Sequence, residues 1–223
     1  MNWFTHATLR RDTPQARERL KESLRRRPAF DAHHSLVWQI FDRDPEAPRD
    51  FIYREMRPDN FLIVSARTPE ADPELWHLRS KPYAPVLPKD ARFGFSLRVN
   101  PTVSQPQPEG KRGVRRDVLM SAKRDASAAL RPEEREDIAL HWLRTKLERC
   151  GADLDTDLSQ LLDYDQLRLR RKGQTERATL SYIDVEGVLS VRDPDSLQAA
   201  LVSGIGHGRA FGLGLLLLRP LGD

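Results

Sequence analysis

Apolar and polar positions alternate from Asn2 to Leu9, with Trp3, Thr5, Ala7 and Leu9 on one side, and this period of two predicts a strand. The period then changes. Thr13-Pro14 supplies a cap and a first-turn proline for a helix whose apolar face carries Ala16, Leu20 and Leu24. Pro28 ends that helix, and a second is expected to begin near Asp31, with Phe30, Val37, Ile40 and Phe41 turned toward a core. Asp50 to Arg57 and Asn60 to Arg67 read as two strands joined at Pro58-Asp59. Residues 72–78, with Leu75, Trp76 and Leu78, are expected to form a short helix, followed by an extended segment from Ser80 to Leu87. Strand, helix, strand, strand, helix, strand is the ferredoxin-like order.

A second series begins at Ala91 to Val103, an expected strand with Phe93, Phe95, Leu97 and Val99 on one side and Arg92, Arg98 and Asn100 on the other. The polar segment Ser104 to Gly113 runs into Lys111, Arg112, Arg115 and Arg116, a loop suited to phosphate contact, as Arg98 on the preceding strand would also be. Pro132 opens a helix with Ile138, Leu140, Trp142, Leu143 and Leu147 at helical spacing, ending at Cys150-Gly151. An acidic stretch, expected to be loosely structured, follows. Asp163 to Arg171 and Arg177 to Leu189 then read as a hairpin around Lys172-Gly173-Gln174-Thr175. Alternation with Leu167 and Leu169 puts Arg168 and Arg170 on one face, with Arg171 and Lys172 near the tip, a ribbon able to enter a nucleic-acid groove. A helix at 195–202 and a closing apolar strand complete the series. The expected fold class is therefore α+β: two tandem ferredoxin-like (RRM-like) domains, residues 1–88 and 89–223, with a C-terminal glycine-rich loop.

That loop joins the last helix to the last strand. Gly204, Gly206, Gly208, Gly212 and Gly214 are five of the twelve glycines in the chain. In a dinucleotide fold the glycine-rich turn leaves a strand and opens a helix, whose amides hold the pyrophosphate. Here the loop follows a helix C-terminus, where the dipole is negative, which argues against a nucleotide cofactor. Bare backbone at this density allows close approach either to a packed neighbour or to a ligand.

With 223 residues the chain can bury one good core or two small ones. Lys and Arg total 37 against 33 acidic residues, so clustering matters more than the net charge of +4. Between Arg10 and Arg27 eight basic residues face three acidic ones, which fits a solvated helix face better than a ligand site. The single Cys150 excludes an intramolecular disulfide and a cysteine-rich zinc site, and points to a reducing compartment. No apolar run approaches a membrane span, and no secretory signal opens the chain, so a cytoplasmic location is expected.

The spacings of phosphate-binding loops, zinc proteases and serine hydrolases are missing. Six histidines show no metal-ligand spacing beyond the adjacent pair His33 and His34, which diverge by about 100° on a helix and chelate poorly. A reaction without metal or cofactor is the simpler expectation. RNA strand cleavage fits, because the substrate supplies its own 2′-hydroxyl nucleophile and needs a base, an acid and charge stabilisation. His34, in the first turn of a helix capped by Asp31, would be held neutral by the positive dipole end and so able to accept a proton. His33, pointing toward the apolar face, is the less favoured candidate.

Several segments together resemble the CasE-type repeat endoribonucleases of the repeat-associated RNA-binding superfamily in CRISPR systems. They are His34-Ser-Leu-Val-Trp38-Gln-Ile-Phe41 with Arg49-Asp50-Phe51-Ile52-Tyr53, Phe95-Ser-Leu-Arg-Val-Asn-Pro101, Val185-Glu186-Gly187-Val188-Leu189 and the glycine-rich end. The resemblance implies two ferredoxin-like domains, cleavage of a CRISPR repeat at the base of its hairpin, and retention of the guide RNA beside the other backbone subunits of the Cascade complex. It places the catalytic histidine on His34, and Arg209 on a basic position within the loop. Characterised members of the family have a tyrosine three residues before that histidine, where this chain has Asp31. Either another donor serves, with His33 or a nearby lysine or arginine as candidates, or the chain acts chiefly as a hairpin-binding subunit.

Overall fold

The structure is a computed structural model that describes residues 1–25, 36–41, 49–105, 113–126, 129–170 and 177–221. Helices combine with antiparallel sheets throughout. The first sheet takes β1 (Trp3–Leu9), β2 (Phe51–Arg57), β3 (Asn60–Ser65) and β4 (Trp76–Pro82), in the order β2-β3-β1-β4. Alternation in β1 buries Thr5, Ala7 and Leu9. Beyond it α1 (Pro14–Arg25) begins where Thr13 Oγ1 accepts the Ala16 amide hydrogen at 3.0 Å, and Ala16 and Leu20 are buried. Between β2 and β3 Asp59 turns the chain with a φ of 68°.

The helix expected at 72–78 does not form. Trp76 instead opens β4, which pairs with β1 from Leu9↔Trp76 to Trp3↔Pro82. Trp76 and Leu78 fit an alternating strand as well as a helix, and the open edge of β1 offers a ladder for all seven residues. Trp76 is buried against Phe61, their rings 5.8 Å apart edge to face.

The second sheet comprises β5 (Arg92–Val99), β8 (Ala152–Arg170), β9 (Arg177–Val191) and β10 (Leu216–Pro220), ordered β10-β5-β9-β8. Read from its other edge this repeats the first sheet: two strands running the same way, separated by an antiparallel third. The expected strand 91–103 divides at Asn100-Pro101. Proline has no amide hydrogen for a ladder, and Asn100 Nδ2 turns to donate to the Ser181 carbonyl at 2.7 Å. Past the break, β6 (Thr102–Gln105) pairs with β7 (Val114–Asp117) as a separate ribbon, so Arg115 and Arg116 lie on a strand rather than in a loop. Asp117 then caps α2 (Val118–Asp125), accepting the amide hydrogens of Leu119 and Met120 at 2.7 and 2.9 Å.

The core of this half lies under α3 (Pro132–Glu148), which buries Ala139, Leu140, Trp142, Leu143 and Leu147. The acidic stretch expected to be loosely structured is the first part of β8. Its register against β9 shifts between Asp155 and Gln160 and again between Leu161 and Asp163. Inside the first shift Ser159 Oγ donates to the Asp155 carbonyl at 2.6 Å and occupies the space that a side chain at Gly187 would need. α4 (Pro194–Ser203) follows, with its N-cap Asp193 accepting the amide hydrogens of Asp195 and Ser196.

The two sheets meet face to face. Ile52 and Val64 pack with Leu215, flanked by Phe4, Leu62, Tyr83 and Leu217. Beside this apolar seam Arg54 of β2 donates to Ser96 Oγ at 2.9 Å and to Asp184 Oδ1 at 3.4 Å on β5 and β9.

Candidate nucleic-acid interface

The glycine-rich loop sits at the junction of the two sheets. The Gly204 amide donates to the Ala200 carbonyl at 2.8 Å and closes α4, after which the chain turns through a single 3-10 turn at Arg209–Phe211 and enters β10. All five glycines named from the sequence have positive φ. At Gly214, with φ 88°, a Cβ would collide with the Ile205 carbonyl oxygen. That close approach lets Ile205 N–H donate to the Gly214 carbonyl at 2.8 Å while Gly214 N–H donates to the Arg98 carbonyl at 2.7 Å. The loop is therefore bonded across its own base and onto β5.

Its other side rests on the first sheet. Tyr53 of β2 donates its hydroxyl hydrogen to the Ala210 carbonyl at 3.1 Å, and the same ring lies against Gly212. Burial pushes the Tyr53 phenol above its ordinary pKa, so it remains a donor through neutral pH. β2 also holds the segment at 36–41: Leu36, Val37 and Ile40 are buried, and Trp38 and Phe41 lie with ring centroids 4.9 and 4.5 Å from Phe51. His33, His34 and Asp31 lie outside the described residues, as do Lys111, Arg112, Arg171 and Lys172. Arg168 and Arg170 are on β8, in register with Thr179 and Arg177.

Arg98 has a different position from the one its sequence pattern suggested. Its Nε and Nη2 donate to the two Asp184 oxygens at 2.8 and 2.6 Å, and its guanidinium carbon stands 4.7 Å from the Tyr182 ring centroid. Arg98 and Asp184 are register partners within the second sheet, and Arg54 of β2, on the same carboxylate, makes the contact between the sheets. Arg115 is exposed on β7, and Arg116 is half-buried beside it. Arg209 folds its aliphatic stem over Gly204 and Gly214 and donates Nη1 to the Ser203 carbonyl at 2.6 Å.

Three further basic residues join these. Arg49, just before β2, has its guanidinium pKa lowered by burial and then by the positive charge of Arg209. His207, exposed between Gly206 and Gly208, has its pKa lowered first by burial and then by Arg115, Lys146 and Arg209. A run of basic residues thus extends from Arg49 through Arg209 and His207 to Lys146 of α3 and Arg115 of β7. Sequence reading passed over Arg49, Lys146 and His207. His207 lay inside a motif read for its glycines, Arg49 stood in a segment matched only as a stretch, and Lys146 carries no local signature. This arrangement can hold a polyanion along the seam between the sheets.

The chain is 26% identical over 198 residues to the Cascade subunit CasE of Escherichia coli K12, covering 84% of this chain and 90% of that one. To the CRISPR-associated endoribonuclease Cse3 of Thermus thermophilus it is 32% identical over 148 residues, 63% of this chain and 61% of that one. The structure of Thermus thermophilus Cse3 bound to an RNA representing a pre-cleavage complex superposes with a TM-score of 0.67 at 26% identity, covering 98% of this chain and 99% of that one. The family of CRISPR associated proteins matches residues 2–220, nearly the whole length. The two sheets, the loop at their junction and the end-to-end match lead to one assignment: the chain belongs to the CRISPR-associated protein family, as a member of its CasE type.

Proposed function

We propose that this chain is a metal-independent endoribonuclease that cleaves CRISPR precursor RNA at the base of the repeat hairpin. It leaves a 2′,3′-cyclic phosphate and stays bound to the 3′ hairpin of the guide RNA, beside the other backbone subunits of Cascade, in the cytoplasm. Two tandem ferredoxin-like domains, residues 1–88 and 89–223, carry the activity, and the matching strand order of the two sheets supports that division. The observation that carries the reading is the full-length likeness to an endoribonuclease solved with a pre-cleavage RNA.

The chemistry follows from the substrate. A base, assigned to His34, takes the proton of the 2′-hydroxyl, and the oxygen attacks the adjacent phosphorus. The bond from phosphorus to the 5′-oxygen breaks, and that oxygen takes a proton from an acid. Arg49 and Arg209 supply positive charge where the phosphoryl oxygens become more negative. The acid is open between His33 and a nearby lysine or arginine.

The test incubates the chain with repeat RNA in EDTA, then repeats the reaction with His34→Ala and with a 2′-deoxy residue at the mapped cut. Cleavage is expected to survive EDTA, to fall by about 10²–10⁴-fold with His34→Ala, and to be abolished by the 2′-deoxy residue, which lacks the attacking oxygen. Full activity in either altered reaction overturns the mechanism. Asp31, where the resemblance expects a tyrosine, favours a second reading as a hairpin-binding subunit. That reading predicts tight binding with no product.

A further inference from the structure

Several arginines of the described residues face a carboxylate, among them Arg11 with Asp59, Arg67 with Asp50, Arg92 with Asp155 and Arg98 with Asp184. Arg115, Lys146 and His207 do not. They come from three elements, β7, α3 and the glycine-rich loop, and among the described residues no carboxylate pairs with any of them. Lys146 Nζ stands 5.7 Å above the Trp142 ring, which positions the ammonium without neutralising it. Like charges gathered without a counter-charge raise the free energy of the unliganded chain and lower that of a complex with an anion.

The loop fixes His207 in this group. A Cβ at Gly206 would lie 3.1 Å from Val99 Cγ2, and one at Gly208 would lie 2.8 and 2.9 Å from Leu213 and Leu180, so the backbone is seated on the second half at both sides of the exposed histidine. We propose that Arg115, Lys146 and His207 form a phosphodiester-binding subsite at the tip of the glycine-rich loop, in which His207 takes up a proton from solvent when RNA binds. The inference rests on the RNA-binding reading above and adds a contact and a proton linkage to it. In the free chain partial burial and then the positive charges of Arg115 on β7, Lys146 on α3 and Arg209 on its own loop disfavour the imidazolium and lower its pKa. A phosphate seated among them reverses that field. The bound imidazole then keeps its proton to higher pH than the free one, so affinity rises as pH falls between the two values.

The experiment uses the full chain and a repeat-hairpin RNA made uncleavable by 2′-deoxy residues 3′ of its stem. Affinity is measured from pH 5.5 to 8, and proton uptake from binding heats in two buffers of different ionisation enthalpy. Wild type is expected to bind about threefold to tenfold more tightly at pH 5.5 than at pH 8, the factor that half to one unit of pKa difference gives. His207→Gln is expected to fold with an unchanged denaturation midpoint, lose most of that pH-dependent gain, and take up correspondingly less proton. Lys146→Met is expected to weaken binding at every pH. If His207→Gln keeps the wild-type profile and uptake while wild type binds the hairpin, the subsite is wrong and the RNA-binding reading stands. If wild type binds no hairpin RNA, both fall.

Discussion

Tyr53, in the middle of β2, donates its hydroxyl hydrogen to the carbonyl oxygen of Ala210 at 3.1 Å, joining residues 157 apart in sequence. The bond fixes the glycine-rich loop of the second half against the first sheet, where the segment at 36–41 is also packed. Tyr53→Phe removes the donor, keeps the ring against Gly212 and leaves the Ala210 carbonyl short of a partner. A loss of about 0.5–1.5 kcal/mol is expected in urea denaturation. An unchanged midpoint would show that water replaces the hydroxyl at no cost.

The sheet junction has a polar lock as well. Asp184 and Arg54 are about a tenth exposed and in contact at 3.4 Å, with Arg98 donating to both carboxylate oxygens. Burial lowers the Arg54 pKa and Asp184 raises it again, so the carboxylate is what keeps a cation tolerable there. Asp184→Asn leaves two guanidiniums facing each other, and a loss of about 3 kcal/mol is expected. A double-mutant cycle with Arg54→Met should give a coupling of about 1–3 kcal/mol. Additive losses would mean that Arg54 is held by Ser96 and packing alone.

Much of this scaffold was legible in the sequence, for identifiable reasons. α3 carries both its proline start and apolar residues at helical spacing within one window, and β1 carries clean alternation, so local pattern and tertiary packing agree. Trp76 and Leu78 satisfy either period, and only the open edge of β1, some seventy residues away in sequence, decides for the strand. β8 was missed for a different reason. Asp153, Asp155 and Asp157 do alternate with Leu154, Thr156 and Leu158, but acidic residues are poor strand formers, and the register shift at Asp155 interrupts the pattern. Of the candidate interface, the loop was readable as a motif, whereas Arg115, Lys146 and His207 meet only through the fold and share no spacing. Arg98 shows the converse: an arginine on a polar strand face looked available, and its partner Asp184 lies 86 residues later.

Cys150 closes α3 as the only thiol in the chain. Burial raises its pKa above the ordinary value, and Lys146 opposes this only in part. Because the thiolate is the reactive form, a raised pKa leaves less of it at pH 8 than an unperturbed cysteine would have. Reaction with a disulfide reagent should therefore be slower than for a free thiol at pH 8, and the rate should keep climbing beyond about pH 8.5, where a free thiol begins to level off. A plateau at or below that value would contradict the assigned shift.

The salt dependence of hairpin binding should separate arginines that meet RNA from those that hold the protein together. A cation that neutralises a phosphate releases condensed counterions, so its removal lowers the slope of log affinity against log salt by about 0.7–0.9. Arg115 is exposed and pairs with no carboxylate among the described residues, so Arg115→Ala should lower the slope by roughly one contact and leave the denaturation midpoint unchanged. Arg98 is committed to Asp184 and Tyr182, so Arg98→Ala should lower the midpoint and leave the slope nearly as it was. The two measurements pull apart because a guanidinium already bonded at 2.6 Å to a carboxylate neutralises no phosphate and so displaces no counterion from the RNA. Equal slope changes for the two variants would mean that RNA displaces Asp184 from Arg98 and breaks a pair that the free chain holds within its second sheet.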